Sequence, residues 1–298
     1  MTKTAASPMT KTEATTTATP MTRTAATPMA KTTATLETKT TATPETKTAV
    51  KTMTMTMAMT TMTPMTANPM VEFRGVHKRF PGAEALRGVS FALPTGQIIG
   101  LLGPNGSGKS TLLKLAAGLY RPNAGTVLIA GRPPDRRTKA MVAYSPEVDH
   151  LYPWMTVRET LRFVGAFFDD WDEQRADRLR EFMGLRPGQK VGAMSKGMRA
   201  RLRLVLALAR SAPLVLLDEP LSGIDPPSRR RIVDAIVSEY RAGQQTIIIS
   251  THEVLETEPL FDYLLMLQAG IVKLQGDAEE LRARYGTSVQ GIMEEVLT

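Results

Sequence analysis

One stretch of this sequence has the residue types and spacing of a phosphate-binding loop. Glycines let a backbone turn successive N–H groups toward an anion, and a helix that starts directly after the loop adds its positive N-terminal end. The apolar residues 97–102 predict a buried strand before the loop, and the spacing of residues 111–119 predicts a helix after it. The alternative is a chance match to the pattern. The loop runs Gly103-Pro104-Asn105-Gly106-Ser107-Gly108-Lys109-Ser110-Thr111.

The polar residues at the end of this loop each have a predicted contact with a nucleotide. Lys109 is placed to reach the β and γ phosphates, Ser110 to put its hydroxyl on Mg²⁺, and Thr111 to bond the α phosphate. The loop therefore predicts a site for a nucleoside triphosphate with its metal ion.

A pair of carboxylates follows a second apolar run, residues 214–217. A carboxylate at the end of a buried strand is costly unless it binds a metal or a charged partner, so Asp218 is predicted to bind the same Mg²⁺ through a water molecule. Glu219 is the candidate general base for an attacking water; since its ordinary pKa is about 4.3, positioning matters more than proton affinity. Loop and carboxylates together indicate phosphoryl transfer to water. An ordinary exit from a strand is the alternative for the pair.

Two further segments have polar residues at the ends of predicted elements. Ser195 is the predicted N-cap of a helix over residues 196–209, and Gly197 lets other groups approach that helix end, which forms an anion site facing outward. An ordinary capped helix is the alternative. His252 follows a buried strand that ends at Ser250, where a neutral imidazole is placed to bond the γ phosphate. A histidine in that position is more often structural.

The order of predicted elements indicates an α/β fold. Short strands at residues 71–73 and 89–93 flank a loop that contains Pro81 and Gly82. Helices are predicted at residues 157–168 and 173–182, as an insertion, and β-branched apolar runs then resume at residues 214–217 and 246–249. Short apolar runs that alternate with helices are typical of a doubly wound, mainly parallel sheet.

Composition divides the chain at about residue 70. Residues 1–69 consist almost entirely of Thr, Met, Ala, Pro and Lys, with no Ile or aromatic residue, so they cannot build a core. We predict a disordered low-complexity tail over residues 1–69 and one folded domain over residues 70–298. A translation start placed too early is the alternative, since Met70 would begin the domain naturally.

Charge and cysteine content exclude several classes of protein. The tail has seven basic and three acidic residues and supplies half of the formal net charge of +8, so the domain is only mildly basic. This balance gives no evidence for nucleic-acid binding. The absence of cysteine excludes disulfides and thiolate metal sites. No stretch approaches the roughly 18 to 20 apolar residues that cross a bilayer, so we expect no membrane span.

Taken together, these motifs resemble the nucleotide-binding subunit of ATP-binding cassette (ABC) transporters over essentially all of residues 70–298. The resemblance implies a P-loop NTPase core with a mainly parallel sheet, a small N-terminal antiparallel β region and a helical subdomain at about residues 148–200. The matching segments, in the order of the family's motifs, are the Walker A loop 103–111, the signature motif 195–199, the Walker B strand 214–218, the D-loop 222–225 and the switch histidine, His252.

The same resemblance implies an activity and partners. It implies an ATPase that uses Mg²⁺ and works as a homodimer or as a heterodimer with a related subunit. In such a dimer, Ser195 and Gly197 of one chain cap the γ phosphate held by Lys109 of the other. Phe80 stands where the family has an aromatic residue that stacks on adenine, although a core position is the alternative.

Departures from the family's usual motifs narrow the resemblance further. Glu147 replaces the usual glutamine that accepts from a metal-bound water, and Lys196 and Met198 replace a glycine and a glutamine of the signature. These features, with the Asp170-Trp171-Asp172 segment, are similar to bacterial ABC-2-type exporters. That similarity implies a separately encoded integral membrane permease and a cytoplasmic position on the inner face of the membrane.

The surface that docks the permease is expected at residues 146–155, with Leu151, Tyr152 and Trp154 exposed. Packing of these residues within the helical subdomain is the alternative. The main competing function is a soluble ABC ATPase that acts on ribosomes or DNA, although such proteins usually have two cassettes or a long coiled coil. A non-catalytic module would lack Glu219 or Lys109, and a GTPase would have an Asn-Lys-x-Asp guanine motif, which is absent here.

Overall fold

The computed structural model describes residues 69–297 of the protein. Residues 1–68 and 298 lie outside this range, so the predicted tail and the alternative of an early translation start stay predictions. Among residues 69–297, no helix is both long and apolar enough to cross a membrane.

Two β-sheets form the centre of the fold. A three-stranded antiparallel sheet has the order β2-β1-β4, and a six-stranded sheet has the order β5-β6-β7-β3-β8-β9. All neighbours in the larger sheet are parallel except the edge pair β8 and β9. The predicted fold class is confirmed. The strands are β1 Val71–Phe80, β2 Ala83–Leu93, β3 Ile98–Leu102, β4 Ala124–Ile129, β5 Val142–Ser145, β6 Leu214–Asp218, β7 Thr246–Thr251, β8 Tyr263–Gln268 and β9 Ile271–Asp277.

The first two strands are longer than the sequence pattern predicts. Residues 71–73 and 89–93 are only the inner ends of β1 and β2, which continue to a tight turn at Pro81 and Gly82. Register shifts along the pair break the alternation of apolar residues, so the outer half has no two-residue period for a sequence analysis to detect.

Eight α-helices cover the sheets within the described residues. Helix α5 begins as predicted, because the Ser195 hydroxyl accepts a hydrogen bond from the backbone N–H of Met198. Helix α3 ends at Gly165, earlier than predicted, and residues 166–168 continue as turns. The helices are α1 Lys109–Ala116, α2 Arg136–Ala140, α3 Val157–Gly165, α4 Glu173–Phe182, α5 Lys196–Leu208, α6 Pro226–Glu239, α7 Ala278–Tyr285 and α8 Val289–Leu297.

Helices α3, α4 and α5 form what we call the helical lobe. The Asp170-Trp171-Asp172 segment between α3 and α4 has two separate structural roles: Asp172 caps α4, whereas Asp170 forms a bidentate ion pair with Arg210 at 2.9 and 3.1 Å. The Arg210 guanidinium also donates to the carbonyl oxygens of Ala140 and Val142. Arg210 thus joins the lobe to the start of β5. The predicted subdomain limits of about 148 and 200 stay a prediction.

The three central strands bring distant parts of the chain to one edge of the sheet. Every residue of β3, β6 and β7 is buried, which explains their continuous apolar sequences. Because these strands are parallel and in register, their carboxyl ends coincide. The phosphate-binding loop, the Asp218-Glu219 pair and His252 therefore all leave the sheet at the same edge.

Candidate functional site

A cavity of about 420 Å³ lies at this edge of the sheet. The loop and α1 form its floor, and groups from the β6 and β7 exits form its wall. Its lining includes the predicted residues Asn105, Gly106, Ser107, Gly108, Lys109, Ser110, Thr111, Glu147, Glu219 and His252, together with Ser222 of the predicted D-loop and Ala85, which no sequence motif indicated.

Two glycines of the loop, Gly103 and Gly108, are required by close packing as well as by backbone conformation. Gly103 has φ 151° and Gly108 has φ 108°. A Cβ at Gly103 would overlap the carbonyl oxygen of Leu267, and one at Gly108 would lie 2.7 Å from that of Ala85. The hydroxyl of Ser107 is buried and has no hydrogen-bond partner in the described part of the chain. An unpartnered buried donor in a loop of this shape fits a phosphate oxygen.

Lys109 is held inside the loop by backbone oxygens and by a carboxylate. Its Nζ donates to the carbonyl oxygens of Gly103 at 2.8 Å and Pro104 at 3.3 Å. The same Nζ lies 3.2 Å from Glu219 Oε1, an ion pair between side chains that are only 5% and 6% exposed. This contact does not have hydrogen-bond geometry, since Glu219 Oε1 has no hydrogen-bond partner among residues 69–297. The ammonium is therefore held by two carbonyl oxygens and one ion pair, and a phosphate can replace these partners.

Glu219 has a strained backbone that neighbouring groups hold in place. Its φ is 46°, a left-handed conformation that residues other than glycine rarely adopt, and its N–H donates to the hydroxyl of Ser250 at 3.0 Å. Strain of this kind costs about 1–3 kcal/mol and is concentrated at functional sites. The carboxylate Oε2 lies 2.9 Å from Nδ1 of His252.

The contact with Glu219 determines which nitrogen of His252 is protonated. An ionised carboxylate only accepts hydrogen bonds, so we assign the proton to Nδ1. A neutral ring in this tautomer has no N–H left to offer a phosphate. The predicted contact of a neutral His252 with the γ phosphate therefore requires that the ring release Glu219 or gain a second proton.

Asp218 is satisfied by three hydroxyl groups. Its Oδ1 accepts from Ser250 at 2.7 Å and Ser110 at 3.0 Å, and its Oδ2 accepts from Tyr144 at 3.1 Å. Burial and the adjacent Asp218 charge raise the pKa of Tyr144, so its hydroxyl stays protonated and donates. These hydroxyls stabilise the buried charge of Asp218 without a metal or a charged partner, so its burial alone does not require Mg²⁺.

The oxygen donors beside the loop fit Mg²⁺. The hydroxyl of Ser110 and the carboxylate of Asp218 are adjacent, and Glu147 lines the same cavity. Mg²⁺ in phosphate sites takes only one or two protein ligands and completes its octahedron with phosphate and water. This agrees with the lack, among residues 69–297, of any group of three or more acidic or histidine side chains that could hold a metal by themselves.

Three predicted nucleotide-binding residues that lie outside the phosphate-binding loop do not line this cavity. Phe80 is 37% exposed and packs edge-on against Tyr120, with ring centroids 5.5 Å apart. Ser195 lies at the start of α5, outside the cavity lining. Gly197 has a structural role within the chain, since a Cβ there would lie 2.9 Å from Asp225 Oδ1.

The expected docking segment separates into a buried and an exposed part. Leu151 packs against the core, whereas Tyr152 and Trp154 are 42% and 67% exposed, with ring centroids 4.8 Å apart. Phe163 and Phe167, one turn apart in sequence at the end of α3, extend this cluster. We call these four residues the aromatic cluster. Phe163 and Phe167 were missed because their four-residue spacing resembles that of an ordinary core-facing stripe.

The sheet order, the glycine loop and the carboxylates at the strand ends define a P-loop NTPase fold. A family model described as ABC transporter matches residues 86–222. The Nod factor export ATP-binding protein I of Burkholderia lata is 39% identical over 67% of this chain and 68% of that protein. An uncharacterized ABC transporter ATP-binding protein of Bacillus subtilis is 31% identical over 74% of this chain and 75% of that protein.

The solved structures that match this chain are also ATP-binding parts of ABC transporters. The ATP-binding subunit of an ABC transporter matches with a TM-score of 0.68 and 27% identity, over 76% of this chain and 99% of that one. A dimeric bacterial ABC transporter cassette has the same fold, with a TM-score of 0.63 and 22% identity over 70% of this chain and 98% of that one. The chain belongs to the ABC transporter ATP-binding proteins, as its motifs indicated.

Proposed function

We propose that this ATP-binding subunit hydrolyses Mg-ATP and drives export through a separate integral membrane subunit. The observation that carries the proposal is the convergence of Lys109, Glu219 and His252 at one cavity. Three groups from distant parts of the chain, joined by contacts of 3.2 and 2.9 Å, provide a phosphate-binding cation, a base and a group that orients the base.

Binding begins with exchange of the partners of Lys109. The triphosphate takes the ammonium from the carbonyl oxygens of Gly103 and Pro104, and the loop supplies backbone N–H groups and the free hydroxyl of Ser107. Thr111 bonds the α phosphate. Phe80 stacks on the adenine from the exposed end of β1.

Ser110 and Asp218 would hold the metal ion, and Glu147 would accept a hydrogen bond from a water molecule bound to it. When bound, Mg²⁺ neutralises charge that develops on the transferred phosphoryl group. The Tyr144 and Ser250 hydroxyls orient Asp218 so that one carboxylate oxygen faces Ser110.

Departure of Lys109 toward the phosphates frees one oxygen of Glu219. That oxygen orients the attacking water and accepts its proton, while His252 fixes the other oxygen. The strained backbone of Glu219 and its hydrogen bond to Ser250 keep the carboxylate at the end of β6. Base and lysine thus interact before the nucleotide binds and act separately afterwards.

A second ATP-binding subunit completes the site. Ser195 and Gly197 lie outside the cavity of their own chain, a cassette with the same fold is described as dimeric, and the resemblance to the family implies a head-to-tail arrangement. In that arrangement the N-terminus of α5 from one subunit caps the γ phosphate bound by the other, as either a homodimer or a heterodimer.

The membrane partner docks on the helical lobe through the aromatic cluster. Four exposed aromatic side chains in contact form a patch that soluble surfaces rarely leave uncovered. Relatives described as export proteins support the direction of transport. The subunit then lies at the cytoplasmic face of the membrane.

The test is to tag the full chain at Thr298, extract native membranes in mild detergent and identify the proteins that co-purify. One multi-spanning protein in a stoichiometric amount, with phosphate release that Glu219→Gln abolishes, is the expected result. Recovery in the soluble fraction with ribosomal proteins or DNA would favour the competing soluble ATPase. Equal phosphate release by the wild type and Glu219→Gln would remove the assigned base.

A further inference from the structure

Another cavity, of about 350 Å³, lies within the helical lobe, between α3 and α4. It is separate from the nucleotide site, because no residue lines both cavities. Three arginines stand around it, whereas the buried residues of its lining are apolar. We call it the arginine cavity and define it by Arg158, Arg162, Arg180, Leu161, Trp171 and Ala176.

Trp171 gives the arginine cavity a flat apolar wall whose position is fixed. Its segment is tied to the residue after α5, because the backbone N–H of Asp172 donates to the carbonyl oxygen of Ala209 at 3.0 Å. A Cβ at Gly165 would lie 2.8 Å from Nε1 of the indole, so the glycine at the end of α3 leaves the space that the ring needs. A wall that is in place before a ligand arrives lowers the entropic cost of binding.

Arg180 is held in one orientation beside this wall. Its side chain is only 15% exposed, its Nε donates to Asp177 at 3.1 Å, and its Nη1 donates to the carbonyl oxygen of Leu185 at 3.1 Å. Nη2 makes no hydrogen bond within residues 69–297 and is reached by solvent, so it is open to a ligand. A guanidinium that is fixed through two nitrogens presents the third with little further loss of freedom.

Arg158 and Arg162 add two charges that the described part of the chain does not pair. They lie four residues apart on α3, where like charges oppose each other. Neither side chain forms a hydrogen bond or an ion pair within residues 69–297. The carboxylates of the lining are stabilised elsewhere: Asp177 is bound by Arg180, and Glu173 lies in the first turn of α4, where the helix dipole favours it. The cavity therefore keeps an excess of positive charge.

The lining fits a small planar anion. Guanidinium groups recognise the paired oxygens of a carboxylate or a phosphate, and the indole, with Leu161 and Ala176, provides a surface for a flat apolar body. At roughly 30 Å³ for each water molecule, the cavity has room for about twelve groups of that size, as in an aromatic acid of one or two rings. A free inorganic anion would use the arginines but leave the apolar surface uncovered.

The arginine cavity and the aromatic cluster lie on different sides of α3. At about 100° per residue, the mean direction of Arg158 and Arg162 differs from that of Phe163 and Phe167 by about 140°. A protein that covers the aromatic cluster therefore does not have to cover the cavity. The occupant of the cavity is accordingly sought among small molecules.

We propose that the arginine cavity binds a small aromatic anion, whose carboxylate or phosphate group contacts the guanidinium groups while its ring lies against Trp171. This site is additional to the nucleotide site, and the inference does not depend on the proposed transport function.

The experiment titrates four probes into the full-length protein: 2-naphthoate, 2-naphthyl phosphate, the neutral 2-naphthamide and inorganic phosphate. Saturation with Mg-ADP keeps the probes out of the nucleotide site. Affinity is measured by calorimetry. Position is measured from the indole N–H signal of Trp171 in nitrogen-labelled protein that carries Trp154→Phe, because the chain has only two tryptophans.

Both naphthyl acids should bind about 10-fold or more tightly than 2-naphthamide and inorganic phosphate, and they should shift the Trp171 signal. The tighter of the two acids identifies the acid group that the cavity prefers. Arg162→Gln removes no contact of the fold, so it should lower the affinity for the acids by about 10-fold, with 2-naphthamide and Tm unchanged. Arg180→Gln should have at least the same effect on the acids. The control Arg178→Gln removes the same charge from an exposed position on α4 and should change nothing.

Four results would overturn the inference. Equal binding of 2-naphthoate and 2-naphthamide would remove the role of the arginines, and equal binding of inorganic phosphate and 2-naphthyl phosphate would remove that of the apolar surface. Binding that leaves the Trp171 signal in place, or that Arg162→Gln and Arg178→Gln weaken equally, would put the ligand elsewhere. A lack of binding by all four probes would remove the site. Because none of these measurements needs ATP hydrolysis or the membrane subunit, the proposed function can fail or stand independently.

Discussion

Replacement of Glu219 by glutamine tests whether the base and the phosphate-binding lysine compete with each other. Glu219 Oε1 and Lys109 Nζ are 3.2 Å apart, with side chains 6% and 5% exposed. At that distance the gross attraction is about 5 kcal/mol for an effective dielectric constant of about 20. Desolvation of both groups offsets most of this attraction, and the carbonyl oxygens of Gly103 and Pro104 hold Lys109 before the nucleotide binds whether or not Glu219 is present.

Glu219→Gln should therefore bind nucleotide more tightly and hydrolyse it more slowly. Removal of the competing carboxylate leaves a net gain of about 1.4 kcal/mol, or ~10-fold in affinity for ATP. Loss of the base should lower kcat by about 10²–10⁴-fold. The glutamine oxygen still accepts from His252, so the exit of β6 keeps its geometry, and the ATP-bound variant should accumulate as a dimer.

Affinity is measured by calorimetry with ADP and a non-hydrolysable ATP analogue, and turnover by phosphate release. The matched control is Glu253→Gln, which removes a carboxylate 4.0 Å from His252 Nε2 but not in contact with Lys109. Unchanged or weaker nucleotide binding in Glu219→Gln would refute the competition argument. Equal multi-turnover rates would refute the assignment of the base.

Three further substitutions have expected outcomes. Lys109→Ala should weaken ATP binding by about 10–100-fold, because a charged donor to the phosphates is lost; calorimetry that finds wild-type affinity would contradict this. Tyr144→Phe keeps the ring but removes the hydroxyl that donates to Asp218. The affinity of the ADP complex for Mn²⁺ should therefore fall about 10–100-fold, as measured by electron paramagnetic resonance. The affinity for ADP without metal should stay unchanged. Arg210→Met should destabilise the fold by about 3 kcal/mol, because Asp170 and two backbone carbonyl oxygens lose their partner. A denaturant midpoint equal to that of the wild type would show that the contacts of Arg210 are not needed for stability.

Features that depend on neighbours in the chain could be predicted from the sequence. The cap at Ser195, the helix at residues 173–182 and the strand before the loop follow from side chains within a few positions of each other. The same holds for the glycine loop, because the types and order of its residues are enough to predict that it binds phosphate. The family resemblance, confirmed by relatives that cover two thirds of the chain, came from the order of such local motifs.

The network around Asp218 could not be predicted in this way. Tyr144 and Ser250 are 74 and 32 residues away from it, and each is an unremarkable polar residue in its own segment. Only the parallel register of β5, β6 and β7 brings their hydroxyls to one carboxylate.

The sequence by itself determined the chemistry of this protein, since residue type and local spacing specify a loop for phosphates, a base and a metal ligand. The tertiary structure decided how those groups are held before the nucleotide arrives: Lys109 is paired with Glu219, and Nδ1 of His252 contacts the same carboxylate. The physical reason is that buried charges interact through space. Their partners are chosen by the packing of strands that are far apart in the chain.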